Sequence, residues 1–402
     1  MAAQQSAGTS VPCVTVVMGT RPEAIKLAPV ILALRAQPGI RTTVCATGQH
    51  REMLAEPLAL FGIEPDVDLG LMRPAQVPDD FLAAVQPALA EVFADVRPRL
   101  VVVQGDTASA IGGALAAAAS GIAIAHVEAG LRSGDPNSPY PEELYRRAIS
   151  RLATLHFAPT HSARNALLSE GIQRSQAHLT GNSGIDALHT ALARLDAEPS
   201  RALALARRFA FLDPERPLIL VTAHRRESFG APLASILAGV RRLAIERDVT
   251  VLFPVHPNPR VRQVVEASLT GVPNVHLTEP LDYLGFVYCL RRSWLALTDS
   301  GGVQEEAPAL GIPVLVMRDR TERREGLAIG NAELVGTRGD AIFEAAGRLL
   351  DDRRAYAAMA AVRSPYGDGR AAERIARAIR LWLAETMLVP DAAGAPELAA
   401  AV

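Results

Sequence analysis

The chain is poor in lysine, cysteine and aromatic residues. Of its 402 residues 41 are basic, and every one except Lys26 is arginine. With 43 acidic residues the formal net charge at pH 7 is -2. That balance excludes a protein that holds nucleic acid or an anionic bilayer by bulk positive charge, and it leaves only local anion sites. The three cysteines, Cys13, Cys45 and Cys289, form no CxxC pair and no metal-like spacing with histidine. Neither a disulfide scaffold nor a zinc module is therefore expected. The stretch MAAQQSAGTS has no basic start followed by an apolar run, so no secretory leader is expected. No apolar run reaches the ~20 residues that span a bilayer; the longest, Ile111 to Ala125, is broken by glycine and serine. The expectation is a soluble, cytoplasmic protein with no nucleic-acid, membrane or metal partner. Against so much arginine, the single lysine is either chemically required or an accident of one position.

What is present is a rhythm. Short β-branched runs alternate with Ala/Leu-rich stretches: Val14–Val17, Thr42–Cys45, Leu100–Val103, Ile122–Ala125 and Leu155–Phe157. After a pause they resume at Leu218–Val221, Val249–Phe253, Val275–Leu277, Leu295–Leu297 and Val314–Val316. Continuous rather than alternating apolar runs are the mark of parallel strands buried on both faces. The stretches between them are long enough to be crossover helices, which predicts an α/β protein with doubly wound sheets. The length corresponds to about two to three domains. The strand rhythm stops around Leu195–Pro217, and we divide the chain into two Rossmann-like domains, 1–190 and 191–368, facing a central cleft. A helix over 369–388 follows, then a tail, DAAGAPELAAAV, expected to be poorly ordered.

Six segments carry chemistry-bearing side chains at predicted strand ends. VVMGTRPEAIKLAPV places Arg21 and Lys26 at a helix start, where unpaired N–H groups and the helix dipole receive phosphate; a solvated Arg and Lys on a capped helix is the plain alternative. GxGxxG and the P-loop signature are both absent. VVVQGDT places Asp106 just past a strand, where it is either an acid group facing a ligand or a helix N-cap. HVEAGLRSGDPNSPYPEELYRR crowds Glu128, Glu142, Glu143, Arg146 and Arg147 into one strand end, loop and helix start. So many charges are costly there unless they pair or act. LILVTAHRRESFG and FPVHPNPRVR put His224 and His256 in equivalent positions of the second half. LALTDSGGVQEEAP ends a strand in Asp299-Ser300-Gly301-Gly302 and opens a helix carrying Glu306. A hydroxyl and unobstructed backbone N–H groups at a helix start suit a diphosphate.

Taken in order, GTRPEAIKLAPV, TGQHREML, QGDT, HVEAGLRSGD, PEE, AHRRES, PVHPNP, TDSGGVQEEAP and MRDRTERRE run along nearly the whole chain. In this order the chain resembles the bacterial non-hydrolysing UDP-N-acetylglucosamine 2-epimerases. The resemblance implies the two-domain glycosyltransferase-B type of fold, with the last helix returning to the first domain. It implies a homodimer that interconverts UDP-N-acetylglucosamine and UDP-N-acetylmannosamine with no metal and no nicotinamide cofactor. It also implies site residues. Asp106, Glu128, Glu142 and His224 match the catalytic positions. Arg21, Lys26, His256, Ser300, Gly301 and Gly302 match nucleotide or diphosphate contacts, Glu306 a ribose ligand, Arg323 a further UDP contact and Phe286 a position near uracil. Gln49, His50 and Arg51 match a segment at which a second substrate molecule activates many members.

Some positions depart from the family pattern. PYPEELYR stands for PWPEEANR and places Leu144 and Tyr145 after Glu142; GNSGID (Gly181–Asp186) stands for GNTVID, ERREG (Glu322–Gly326) for ERPEA, and Leu281 for a glutamine. These changes leave the exact amino sugar and the activation open. Three readings follow: an epimerase, a hydrolysing relative that releases N-acetylmannosamine and UDP, and a non-catalytic UDP-sugar-binding protein. A glycosyltransferase on the same fold has no use for three such carboxylates.

Overall fold

The computed structural model describes residues 11–73, 78–135, 139–223, 225, 229–361 and 364–388. His224 and the tail DAAGAPELAAAV lie outside them. The chain divides into two units, each built on one parallel sheet. The first comprises residues 11–130, 135–183 and 370–388; the second comprises 131–134 and 184–369.

The sheet of the first unit contains β1 (Cys13–Met18), β2 (Arg41–Ala46), β3 (Val67–Asp68), β4 (Leu100–Gln104), β5 (Ala123–Val127), β6 (Leu155–Ala158) and β7 (Ala177–Leu179). Their order is β3-β2-β1-β4-β5-β6-β7, and every pairing is parallel. Between them run α1 (Arg21–Arg35), α2 (Arg51–Phe61), α3 (Pro78–Val96), α4 (Ala108–Ala119), α5 (Glu142–Leu152) and α6 (His161–Ser169). The order reverses between β1 and β4, the switch point at which open α/β sheets take their ligands.

The chain enters the second unit at the start of α7 (Ser183–Ala197), a few residues before the 190–191 division expected from the strand rhythm. Then come α8 (Pro199–Arg208), β8 (Leu218–Thr222), α9 (Ala231–Glu246), β9 (Thr250–Pro254), α10 (Pro259–Leu269), β10 (Val275–Thr278) and α11 (Tyr283–Arg291). The unit closes with β11 (Leu295–Thr298), α12 (Gly301–Ala309), β12 (Val314–Val316), α13 (Arg324–Ala328), β13 (Ala332–Leu334), α14 (Gly339–Asp351) and α15 (Arg353–Ala360). The strand order is β10-β9-β8-β11-β12-β13, again parallel. The last helix, α16 (Ala371–Leu388), belongs to the first unit and packs on α1.

Each of the ten apolar runs coincides with a strand to within a residue or two. Three strands had no such run: β3, β7 and β13. All three lie at sheet edges and are two or three residues long. An edge strand needs an apolar surface on fewer sides, so its sequence carries little of the continuous signal. The central strands β1, β4, β8 and β11 are buried along almost their whole length.

In the second unit α9 and α14 cross with their backbones touching. A Cβ added to Gly239 would lie 2.5 Å from the carbonyl oxygen of Gly339 and 2.8 Å from its Cα. Neither atom can swing aside, so Gly239→Ala must push the helices apart. It is expected to destabilise the protein by about 1–3 kcal/mol, the range for overpacking a close contact. A lower denaturation midpoint than wild type, with the secondary-structure content unchanged, is the checking measurement.

Candidate active site

In the first unit the tight turn after β1 is fixed by Glu23. Its Oε2 accepts from the backbone N–H of Gly19 at 2.9 Å and of Thr20 at 2.7 Å, while Thr20 Oγ1 accepts from the Glu23 N–H, completing a capping box on α1. Its other oxygen takes the Thr107 hydroxyl at 2.6 Å. Burial raises the Glu23 carboxyl above its ordinary value, against the pull of these hydrogen bonds. The conspicuous glutamate of GTRPE is thus a fastener that ties the first turn of α1 to the turn before α4. Arg21 starts α1, with its Nε 3.9 Å from Glu56 Oε2.

Lys26, one turn further, is 9% exposed, and its ammonium donates to Glu128 Oε1 at 2.5 Å. Glu128 is the first residue past β5. It is equally buried and holds a left-handed backbone, φ +64°. That is an uncommon state for a residue with a Cβ, and it collects at functional sites. Glu128 Oε2 accepts from the carboxamide of Gln104, the last residue of β4, and Asn182 Nδ2 approaches Oε1 at 3.5 Å.

Asp106 and Glu142 complete the acidic set of this unit. The cap of α4 is Thr107, whose hydroxyl accepts from the Ala110 N–H, so Asp106 is not the N-cap. It is bound instead by the Arg146 guanidinium, whose Nε lies 3.0 Å from Oδ2 and whose Nη2 reaches the same oxygen. Arg146 also donates to the buried Glu143 at 2.9 Å. Glu142 opens α5, where the positive end of the helix dipole favours a carboxylate. Its Oε2 is buried with no hydrogen-bond partner among the described residues, which leaves an acceptor for a ligand. Of the TGQHR segment, Gln49 accepts from the Ser109 hydroxyl at 2.7 Å, His50 is the N-cap of α2 with burial lowering its pKa, and Arg51 pairs with Asp68 at 2.9 Å.

In the second unit the strand ends again supply the polar groups. Buried Asp299, just past β11, accepts from the Arg225 N–H at 2.8 Å. Ser300 caps α12 by position, but its side chain makes no capping bond, so the hydroxyl is not spent on the helix. Gly301 starts α12 beneath a guanidinium: a Cβ there would lie 2.8 Å from Arg323 Cζ. Only glycine lets Arg323 lie against this helix start. Arg323 is held by Glu305 at 3.0 Å and by Glu322, which also takes Arg318 at 3.2 Å. Burial by itself would raise the Glu322 carboxyl, yet the guanidiniums of Arg323, Arg318 and Arg225 hold it well below the carboxylate range.

The remaining second-unit residues fall around the same strand ends. Glu306 is buried on α12 and accepts from the Tyr283 hydroxyl at 2.9 Å. Gly302 follows Gly301 in the first turn of α12, and half-buried Phe286 lies on α11. His256 follows β9, with its Nδ1 accepting from the Asn258 N–H at 3.2 Å. In the neutral ring this makes Nε2 the donor.

Several structural partners escaped the sequence reading: Gln104, Asn182 and Thr107 in the first unit, Tyr283, Glu305 and Glu322 in the second. Gln104 had a visible signal, a carboxamide closing an otherwise apolar strand. For Asn182 the signal was weaker, the retained first half of GNSGID. Thr107, Glu305 and Glu322 sit among polar neighbours and look like surface residues until their partners are known.

Comparison with known proteins gives a consistent result. The family model described as UDP-N-acetylglucosamine 2-epimerase matches residues 32–380. The UDP-N-acetylglucosamine 2-epimerase of Escherichia coli K12 is 45% identical over 368 residues, 91% of this chain and 98% of that protein. The Bacillus subtilis 168 enzyme of the same name is 44% identical, covering 90% of this chain and 93% of its own. Among solved structures, UDP-GlcNAc 2-epimerase of Neisseria meningitidis bound to UDP-GlcNAc superimposes with a TM-score of 0.88 at 42% identity, covering 94% of this chain and 99% of its own.

Two stability predictions follow from the buried charges. Lys26→Met keeps the length of the side chain but strands Glu128 in the interior, and is expected to cost about 3–5 kcal/mol at pH 7 in a denaturant titration. Glu322→Gln tests the second cluster. Because its folded pKa is depressed, the Glu322 carboxylate stabilises the protein fully above the unfolded value, near 4.5, and that contribution fades only as pH falls below it. The stability gap between wild type and Glu322→Gln should therefore be flat from pH 7 to about 5 and shrink in acid.

Proposed function

The chain belongs to the UDP-N-acetylglucosamine 2-epimerase family, and from that premise we propose that it reversibly epimerises carbon 2 of UDP-N-acetylglucosamine to give UDP-N-acetylmannosamine. The observation that carries the reading to this chain's own residues is the buried carboxylate Glu128. It is held in a left-handed turn just past β5, in the same unit as Asp106 and Glu142. No helix of the described residues is long and apolar enough to cross a membrane; we assign the enzyme to the cytoplasm, as a homodimer.

The chemistry of the sugar sets the order of events. Carbon 2 is not next to a carbonyl, so its hydrogen is far too weakly acidic for direct abstraction. In the proposed sequence the bond from carbon 1 to the diphosphate oxygen breaks first, its electron pair leaving with UDP and positive charge growing at the ring. The carbon 2–hydrogen bond then breaks. Its electrons form the double bond of 2-acetamidoglucal and its proton passes to a carboxylate. UDP adds back as a proton is delivered to the opposite face, which inverts carbon 2.

Each step asks for groups of the kind this chain carries. Asp106, Glu128 and Glu142 are assigned to proton transfer and to stabilising the cation, and His224 to assisting the departure and return of UDP. Arg21, His256, Ser300, Gly301 and Gly302 are assigned to the diphosphate, Arg323 to a further UDP contact, Glu306 to the ribose and Phe286 to the uracil side. Lys26, whose ammonium donates to Glu128, is assigned with Arg21 to the diphosphate. Gln49, His50 and Arg51 are assigned to activation by a second UDP-sugar.

The test is incubation of the purified protein with UDP-N-acetylglucosamine in deuterated water, followed by NMR, with no nicotinamide added. Deuterium at carbon 2 and growth of the manno epimer are expected. Glu142→Gln should lower the rate at least a hundredfold while leaving UDP affinity within about threefold. Absence of exchange with any UDP-hexosamine would refute the reading, and accumulation of free N-acetylmannosamine would replace it with a hydrolase.

A further inference from the structure

Glu128 does not stand alone in its turn. Four elements of the first unit converge on its carboxylate: Lys26 from α1, Gln104 from the last residue of β4, Asn182 from the segment between β7 and α7, and its own position just past β5. The strands concerned, β1, β4, β5 and β7, all end on the same edge of one parallel sheet. Both carboxamides are buried, with Gln104 4% and Asn182 3% exposed. A carboxamide shut away from water is costly unless its donors are used, and both donate to Glu128. We infer that Gln104 and Asn182 are positioning residues for the Glu128 carboxylate, holding it in the orientation and the acceptor form required of a base at carbon 2.

The argument is geometric. Lys26 and Asn182 approach Oε1, and Gln104 approaches Oε2. Donors on both oxygens fix rotation about the terminal bond of the side chain, which a single ion pair with Lys26 leaves free. Lys26, Gln104 and Asn182 all present hydrogens to the carboxylate, so the arrangement suits the ionised group. Glu128 holds a left-handed backbone, φ +64°, and its side chain meets the ends of β4 and β7 through Gln104 and Asn182. The turn opposite is also anchored: His126 Nε2 lies 2.8 Å from the carbonyl oxygen of Gly105, and the Gly105 N–H donates to Val127 at 3.0 Å. A base that must meet a weakly acidic carbon gains rate from fixed orientation.

The inference deepens the epimerase reading and rests on it, so its test carries a readout that needs no turnover. Gln104→Met keeps the length of the side chain and removes the donor; Asn182→Ala removes the other. In the full-length protein, kcat is expected to fall at least tenfold in each, with UDP affinity by calorimetry unchanged within twofold. The acid limb of the kcat–pH profile should move to higher pH, because a carboxylate that loses a donor is protonated more easily. The direct readout is the Glu128 carboxyl titration, followed by carbon-13 NMR and assigned with Glu128→Gln, which should shift upward in both variants. If Gln104→Met fails to fold, Asn182→Ala carries the test by itself. A Glu128 titration unmoved in the folded variants overturns the inference even in a protein that proves inactive. Wild-type turnover with unaltered variant kcat and pH profile overturns it while leaving the epimerase reading intact.

Discussion

A parallel strand covered by helices on both faces is a poor place for charge, and this constraint organises both halves of the molecule. None of β1, β4, β5, β6, β8, β9, β11 and β12 contains an aspartate, glutamate, lysine or arginine. Charged and hydrogen-bonding groups are therefore displaced to the residues where the strands stop and the chain turns into the next helix. In the first unit those positions hold Gln104, Asp106 and Glu128; in the second they hold His256, Asp299 and Ser300. The chemistry collects there because the interior of the sheet excludes it, and because helix starts at the same edge offer unpaired N–H groups.

Crowding charge at a dry edge has its own cost, and the two units meet it differently. In the first, one lysine answers one glutamate, with two carboxamides completing the shell around the acid. Desolvating such a pair roughly cancels its attraction, so its value lies in the geometry it enforces rather than in stability. Arg146 makes a second small cluster by bridging Asp106 and Glu143. In the second unit a longer chain, Glu305–Arg323–Glu322–Arg318, alternates in sign and leaves Arg323 lying over the start of α12. Fixed guanidiniums are pre-ordered donors, suited to charge that grows on a leaving diphosphate.

The lone lysine acquires a definite place in this scheme. Composition marked it as unusual, and the resemblance assigned it to phosphate. The structure puts its ammonium on Glu128. A guanidinium is wider and planar, and meets a buried carboxylate oxygen with a different geometry. A compact ammonium on a flexible stem reaches Oε1 of Glu128 as a point charge. That gives a physical reason for one lysine to persist where every other basic position is arginine.

The sequence alone determined the architecture, because burial on both faces writes an uninterrupted apolar run into each central strand, and those runs were legible from Val14 to Val316. It missed β3, β7 and β13, whose edge positions leave them short and half wet. It also determined the chemical inventory, since strand ends could be located and their polar residues read off. Pairing was the part it left undecided. Asp106 also read as a helix cap, and Gln104 and Asn182 drew no notice. Their roles depend on neighbours more than fifty residues away in several cases, Lys26 on Glu128 and Glu23 on Thr107 among them, and nothing local encodes which charge meets which. Only the tertiary structure, by bringing the ends of separate strands to one edge, decided that Thr107 reaches Glu23, that Asp106 is bound by Arg146, and that a single carboxylate sits at the meeting point of three donors.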